Sequence, residues 1–183
     1  EVGLDGRVLA FDTDAGKRVS ALVLMRDSRL RVASSRDSGR TFSWIEIPEA
    51  VAAELGLPGA APSRLRICRD ALLIAGASSV LCGESTTALE PMPADPRLPL
   101  TLLDEDGSVF AYACMRTDGK IYVLRRQARA QAGVTIVGML DASEVGEAHA
   151  LFAAQRETLL SLYLATSRGL FRLDASLDGE ALA

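Results

Sequence analysis

An all-β chain is what the sequence predicts, and three observations predict it. Four short apolar runs stand between turn signals: "ALVLM" (21–25), "ALLIAGA" (71–77), "VFAYACM" (109–115) and "LLSLYLA" (159–165). Each is too short for an ordinary helix and lacks a polar stripe, so each reads as a strand covered on both faces. A second strand-like run follows most of them after a small polar break: "RLRVASSR", "SSVLCGE", "GKIYVLRR" and "RGLFRLDA". The breaks are hairpin-sized, and Asp118-Gly119 is a direct hairpin signal. The unit then recurs, and that recurrence is the third observation.

The intervals between units are uneven, but they average near the ~40–45 residues of a four-stranded propeller blade. In that architecture successive sheets pack face to face, so the middle strands are covered on both sides. An open sheet with one wet face would alternate there instead. The prediction is a β-propeller, or a fragment of one, of about four blades.

Each element has its own justification. "RVLAFD" (7–12) is an innermost strand, or a strand that closes the ring. "ALVLM" and "RLRVASSR" are the middle of the first blade, and "TFSWIEI" (41–47) is its outer edge. In "PEAVAAELGLPG" (48–59) Pro48 stands at a helix start, Val51 and Leu55 are four apart, and Gly56 sits at a stop. That pattern predicts one short helix in the loop between the first two blades. "RLRICR" (64–69) opens the second blade and "TALEPM" (87–92) ends it. "PLTLLD" (99–104) and "VTIVGML" (134–140) flank the third, in which "RQARAQAG" (126–133) extends a turn with weak helical or loop character. "ALFAAQ" (150–155) opens the fourth. The blade-like units are 7–47, 64–92, 99–140 and 150–183, within one domain 1–183.

Composition bounds the function. The chain has 183 residues, 49% of them hydrophobic, enough for a substantial core. A net charge of −4 and scattered arginines give no case for nucleic acid. No apolar run approaches the roughly 20 residues of a membrane span. Cys68, Cys82 and Cys114 are too few and too spaced for a disulfide framework, and all three read as buried thiols. With a single histidine, His149, a zinc site has no ligand set. No cofactor is expected. The chain starts at Glu1 without an initiator Met, which suits a processed chain or an excised piece.

One stretch reads like a signature. In "SSRDSGRTFSW" (34–44) the order is Ser35-x-Asp37-x-Gly39-x-Thr41-Phe42, with Trp44 two residues on. It resembles the Asp-box, or BNR repeat, of sialidases and of many non-enzymatic propeller proteins. In that family the box joins the third and fourth strands of a blade, where this stretch also falls. Physical chemistry gives it a structural role. The Asp37 carboxylate and the Ser35 hydroxyl can accept turn N–H groups, and Gly39 permits positive φ. Thr41 restarts a strand, and Phe42 or Trp44 can plug the gap between sheets. A weaker echo stands at Ser176-Leu177-Asp178-Gly179.

Other candidates carry less. "DTDAG" (12–16) and "DEDG" (104–107) read as solvated turn acids, without the ligand count of a calcium loop. His149 reads as a loop histidine; Tyr112, Tyr122 and Tyr163 read as core or groove lining. The resemblance would imply an arginine triad, a Tyr/Glu nucleophile pair and an acid Asp if the chain were a sialidase. Phe171-Arg172-Leu173 is the nearest string to the family's early motif, and it lacks the proline. The expectation is therefore a non-catalytic module with a protein partner, acting as a scaffold. The alternative is a carbohydrate-binding module or a fragment of a glycoside hydrolase. Resemblance to exported propellers points outside the cytoplasm; the unpaired cysteines point the other way.

Overall fold

The computed structural model describes residues 6–13, 18–57, 63–129, 131–156 and 159–176. Among these residues the fold is all-β apart from two short helices, and the four sheets are antiparallel meanders. They fall into two compact units, Glu1–Pro91 and Met92–Ala183.

In the first unit, sheet 1 has the order β1 (Gly6–Thr13), β2 (Val19–Met25), β3 (Leu30–Ser35), β4 (Ser43–Glu46). The segment "RVLAFD" therefore lies in the first strand of its own sheet. Sheet 2 has the order β5 (Arg64–Cys68), β6 (Ala71–Ala75), β7 (Val80–Gly83), β8 (Glu90–Met92). All five residues of β6 are buried, as the continuous run "ALLIA" requires. One face of each sheet supplies a shared core: Leu22, Leu30 and Val32 from sheet 1 meet Leu65, Leu72, Ile74 and Leu81 from sheet 2.

The predicted helix is α1 (Glu49–Glu54), with Pro48 at its N-cap, joining β4 to β5. Leu55, just past its end, is fully buried, and its carbonyl accepts from Ala77 N at 2.8 Å. Gly76 makes this fit possible, because a Cβ there would lie 2.0 Å from the Leu55 carbonyl oxygen. Asp12 is not a solvated turn acid. It sits in β1 and accepts from Ile67 N at 2.9 Å and from an Arg66 N–H at 3.2 Å, tying β1 to β5. Asp14 lies outside the described residues.

In the second unit, sheet 3 has the order β12 (Val134–Asp141), β11 (Lys120–Gln127), β10 (Ser108–Thr117), β9 (Leu100–Glu105). Sheet 4 is β13 (Ala148–Arg156), β14 (Leu159–Thr166), β15 (Gly169–Ser176). Tyr112, Cys114, Ile121 and Val123 of sheet 3 pack with Leu151, Leu160, Leu162 and Leu164 of sheet 4. Asp118 and Gly119 both have positive φ, 51° and 73°, as a tight hairpin turn with matching twist demands. A four-residue helix, α2 (Ala142–Val145), follows β12; Asp141 caps it by accepting from Ser143 N at 2.8 Å.

Four expectations need correcting here. His149 is an exposed residue of strand β13, not of a loop. Segment 126–133 begins as the last two residues of β11 before it turns. Cys68 is only half-buried, whereas Cys82 and Cys114 are buried; none of the three is in a disulfide. Glu105, placed by sequence in a solvated acidic turn, is buried. Ser176 ends β15, and the rest of the "SLDG" echo lies outside the described residues.

Candidate functional site: a polar cleft in the first unit

The Ser35–Trp44 stretch builds the β3–β4 turn. Ser35 Oγ accepts from Gly39 N at 2.8 Å and donates to Asp37 Oδ1 at 2.7 Å. Asp37 Oδ1 also accepts from Arg40 N at 3.0 Å and Thr41 N at 2.9 Å, while Oδ2 accepts from Thr41 Oγ1 at 2.7 Å. The chain can present these N–H groups to one carboxylate because Ser38 and Gly39 take positive φ, 61° and 86°. The Thr41 bonds, then the Ser35 hydroxyl, hold the Asp37 carboxyl well below the usual aspartate range. Phe42 packs against Ala21, Val23 and Ala33. Trp44 stays 39% exposed on the edge strand, so it does not plug a gap between sheets.

The same end of the unit carries a cleft. Its origin is visible rung by rung. On one face of sheet 1 the pair Leu24–Leu30 is followed by Leu22–Val32 and then by Ser20–Ser34. The next strand repeats the change, with Ile45 beside Val32 and Ser43 beside Ser34. Apolar rungs become hydroxyl rungs, so the core shared with sheet 2 gives way to a polar opening of 150 Å³. The hydroxyls of Ser20 and Ser34 bond each other at 2.8 Å, and that of Ser43 donates to the Ser34 carbonyl at 3.1 Å.

Charged side chains from three turns converge on the rim. Arg18 precedes β2, Arg36 belongs to the Asp37 turn, and Arg69-Asp70 is the turn between β5 and β6; all line the cleft. Arg18 donates to the Arg69 carbonyl and to Asp70 Oδ1, the latter at 3.1 Å. Arg36 donates to the same Oδ1 at 3.3 Å. Asp70 is 73% exposed and Arg36 77%, so this bridge is a wet one and contributes little to stability. Glu84, from the β7–β8 turn, is an exposed second carboxylate, with no hydrogen bond or ion pair among the described residues. Thr86 in that turn is 1% exposed, and its hydroxyl has no hydrogen-bond partner among the described residues.

The second unit holds a different polar cluster. Tyr112 and Arg125 stand opposite each other on β10 and β11. The Tyr112 hydroxyl donates to Glu105 Oε1, and Arg125 donates to both Glu105 and the Tyr112 oxygen, the latter at 3.0 Å. The Arg125 guanidinium also lies 3.6 Å from the Phe110 ring centroid. Burial, and next the bond to Glu105, push the Tyr112 phenol far above its usual range. A phenol that holds its proton so firmly, fully buried, is a poor nucleophile. The cluster reads as an internal clasp that neutralises a buried carboxylate.

Of the residues singled out in the sequence, Ser35 alone of the turn lines the cleft, beside its neighbour Arg36. Asp37, Gly39, Thr41 and Phe42 shape the turn from behind. Sequence reading missed Arg18, Asp70, Glu84 and Thr86. The available signal was the change from apolar residue to serine at matching positions of β2, β3 and β4. Among the described residues no group of three or more His, Cys, Asp or Glu is placed to hold a metal ion. No helix among them is long and apolar enough to cross a membrane.

No family model and no curated protein matches the sequence. Solved structures similar in fold are glycoside hydrolases. The Bacteroides ovatus xyloglucan PUL GH43B shares 11% identity with 93% of this chain and 38% of its own covered, at a TM-score of 0.42. An exo-β-1,3-galactanase from Phanerochaete chrysosporium shares 12%, with 95% and 48% covered, at 0.45. An endo-arabinase from Bacteroides thetaiotaomicron shares 14%, with 97% and 78% covered, at 0.41. The chain thus spans less than half the length of the first two. At such scores and identities the likeness carries no chemistry to this chain.

Proposed function

We propose that this chain is a carbohydrate-recognition module of an Asp-box propeller, whole or in part, and that it binds without catalysing a reaction. The observation that carries the reading is the lining of the first-unit cleft. Guanidinium groups only donate hydrogen bonds, carboxylates only accept them, and serine and threonine hydroxyls do both. A sugar hydroxyl also does both, so it satisfies every group in such a lining. Ile45 and Ile67 line the cleft as well and offer apolar contact to the C–H face of a ring. The volume is below the ~300–1,000 Å³ of a drug-sized pocket, which suits one ring and not a long chain.

The scaffold reading has no comparable feature behind it, so recognition of a glycan replaces it here. The test is a glycan array run beside a panel of fluorogenic glycosides. The expected outcome is retention on the array without release of fluorophore. Fluorophore release that Asp70→Asn or Glu84→Gln abolishes would make the chain a hydrolase; silence in both assays would remove the carbohydrate reading.

A further inference from the structure

We infer that the outer edge of sheet 4 joins a second copy of this chain, β15 pairing antiparallel with its own counterpart. Among the described residues sheets 1 to 3 have four strands each and sheet 4 has three, so β15 ends its sheet where the others continue to a fourth strand. A strand edge presents a row of N–H and C=O groups that can pair with another chain. The outer edges of the other sheets are poor templates. β4 has four residues, β8 has three with Pro91 among them, and β12 follows β11 through a register shift. Short strands, proline and bulges all discourage an added strand. β15 has eight residues, Gly169–Ser176, matched to β14 without a shift. No proline or lysine interrupts it.

The charges of the strand name the occupant. Arg172 and Asp174 lie on the face of β15 that meets Ser161 and Tyr163 of β14. Phe171 and Leu173 turn the other way, to the core shared with sheet 3. For two copies to continue one sheet about a twofold axis normal to it, residues directly opposite must come from the same face. Two registers that obey this overlap the strand most fully. One pairs 169–175 with its copy and sets Arg172 against the partner's Arg172. The other pairs 170–176 with its copy, centred on Leu173, and sets each Arg172 against the partner's Asp174. Opposite charges directly across an antiparallel pair stabilise it, and like charges destabilise it. Arg172-Leu173-Asp174 is thus complementary to itself in the second register. The groups it needs are open. Asp174 Oδ1 accepts from Arg172 Nε and Ser161 Oγ, both at 2.8 Å, while Oδ2 accepts from nothing among the described residues. Arg172 Nη1 likewise donates to nothing among them. The side chains are 53% and 38% exposed, so a partner strand can reach both. The contact is the same on both copies, so it closes at two.

Sedimentation equilibrium of the full chain at about 100 μM tests this. The wild type should have the mass of a dimer. Arg172→Asp sets like charges across the axis, and so does Asp174→Arg, so each variant alone should be a monomer. Mixed in equal amounts, the two should regain the dimer, because each charge then meets its opposite in the other variant. That rescue separates a lost contact from a lost fold, which mixing does not repair. A wild-type monomer at that concentration, as a strand from elsewhere in the chain on this edge would give, overturns the inference. So does a dimer that both variants keep, since it assembles through another surface, and so does a mixture that stays monomeric.

Discussion

Two aspartates near one end of the first unit do opposite jobs. Asp37 spends its lone pairs on its own turn, whereas Asp70 holds two guanidiniums at an exposed rim. The first is therefore a stability residue, and the second is an acidic group of the cleft rim. Asp37→Ala should lower the thermal midpoint by a few degrees. The pH dependence follows from the sign of its shift. Its folded-state pKa lies below that of the unfolded chain, about 4. Its contribution is therefore fully present above that pH and is lost as the pH falls below it. The midpoint difference between wild type and Asp37→Ala should stay level from neutral pH to about 4 and narrow below. A difference that widens in acid would contradict the hydrogen bonds assigned to this carboxylate. The serine, aspartate and glycine of this turn are all legible in sequence, because the motif is local and each residue type has one physical use there. Thr86 is not legible: nothing in "ESTTAL" says which hydroxyl the fold will bury.

At the scale of elements, local chemistry again separates what could be read from what could not. Asp118-Gly119 announces its hairpin because positive φ at two successive residues needs that pair. Pro48 and the Val51–Leu55 spacing announce α1. The four-residue α2 was missed because a helix that short has no periodicity; its only signal was Asp141 ahead of Ser143. Asp12 and Glu105 were misread for one reason: their partners, Ile67 in one case and Tyr112 with Arg125 in the other, are reached through strand pairing or sheet packing. The contact between α1 and the β6–β7 turn is testable. Gly76→Ala places a Cβ against the Leu55 carbonyl, where nothing flexible can give way. It should destabilise the chain by about 1–3 kcal/mol in a denaturant titration. The same change at Gly119 meets no atom within 4 Å, and only its positive φ opposes it. A cost at Gly76 no larger than at Gly119 would contradict the close approach.

For the whole molecule, four apolar runs and their turn signals were enough to give the all-β class and the meander of each sheet. Covered middle strands leave continuous runs, and that pattern survives without knowledge of what covers them. The cleft was not legible, because it is assembled from turns about 50 residues apart that meet only once sheets 1 and 2 share a core. The most direct measurement is two-dimensional amide NMR of the labelled chain titrated with glucose and galactose. Shifts should gather at Arg18, Ser34–Arg36, Arg69–Asp70 and Glu84–Thr86 and spare β9 to β15. Saturable shifts confined to the second unit, around Glu105, Tyr112 and Arg125, would contradict the assignment of the site.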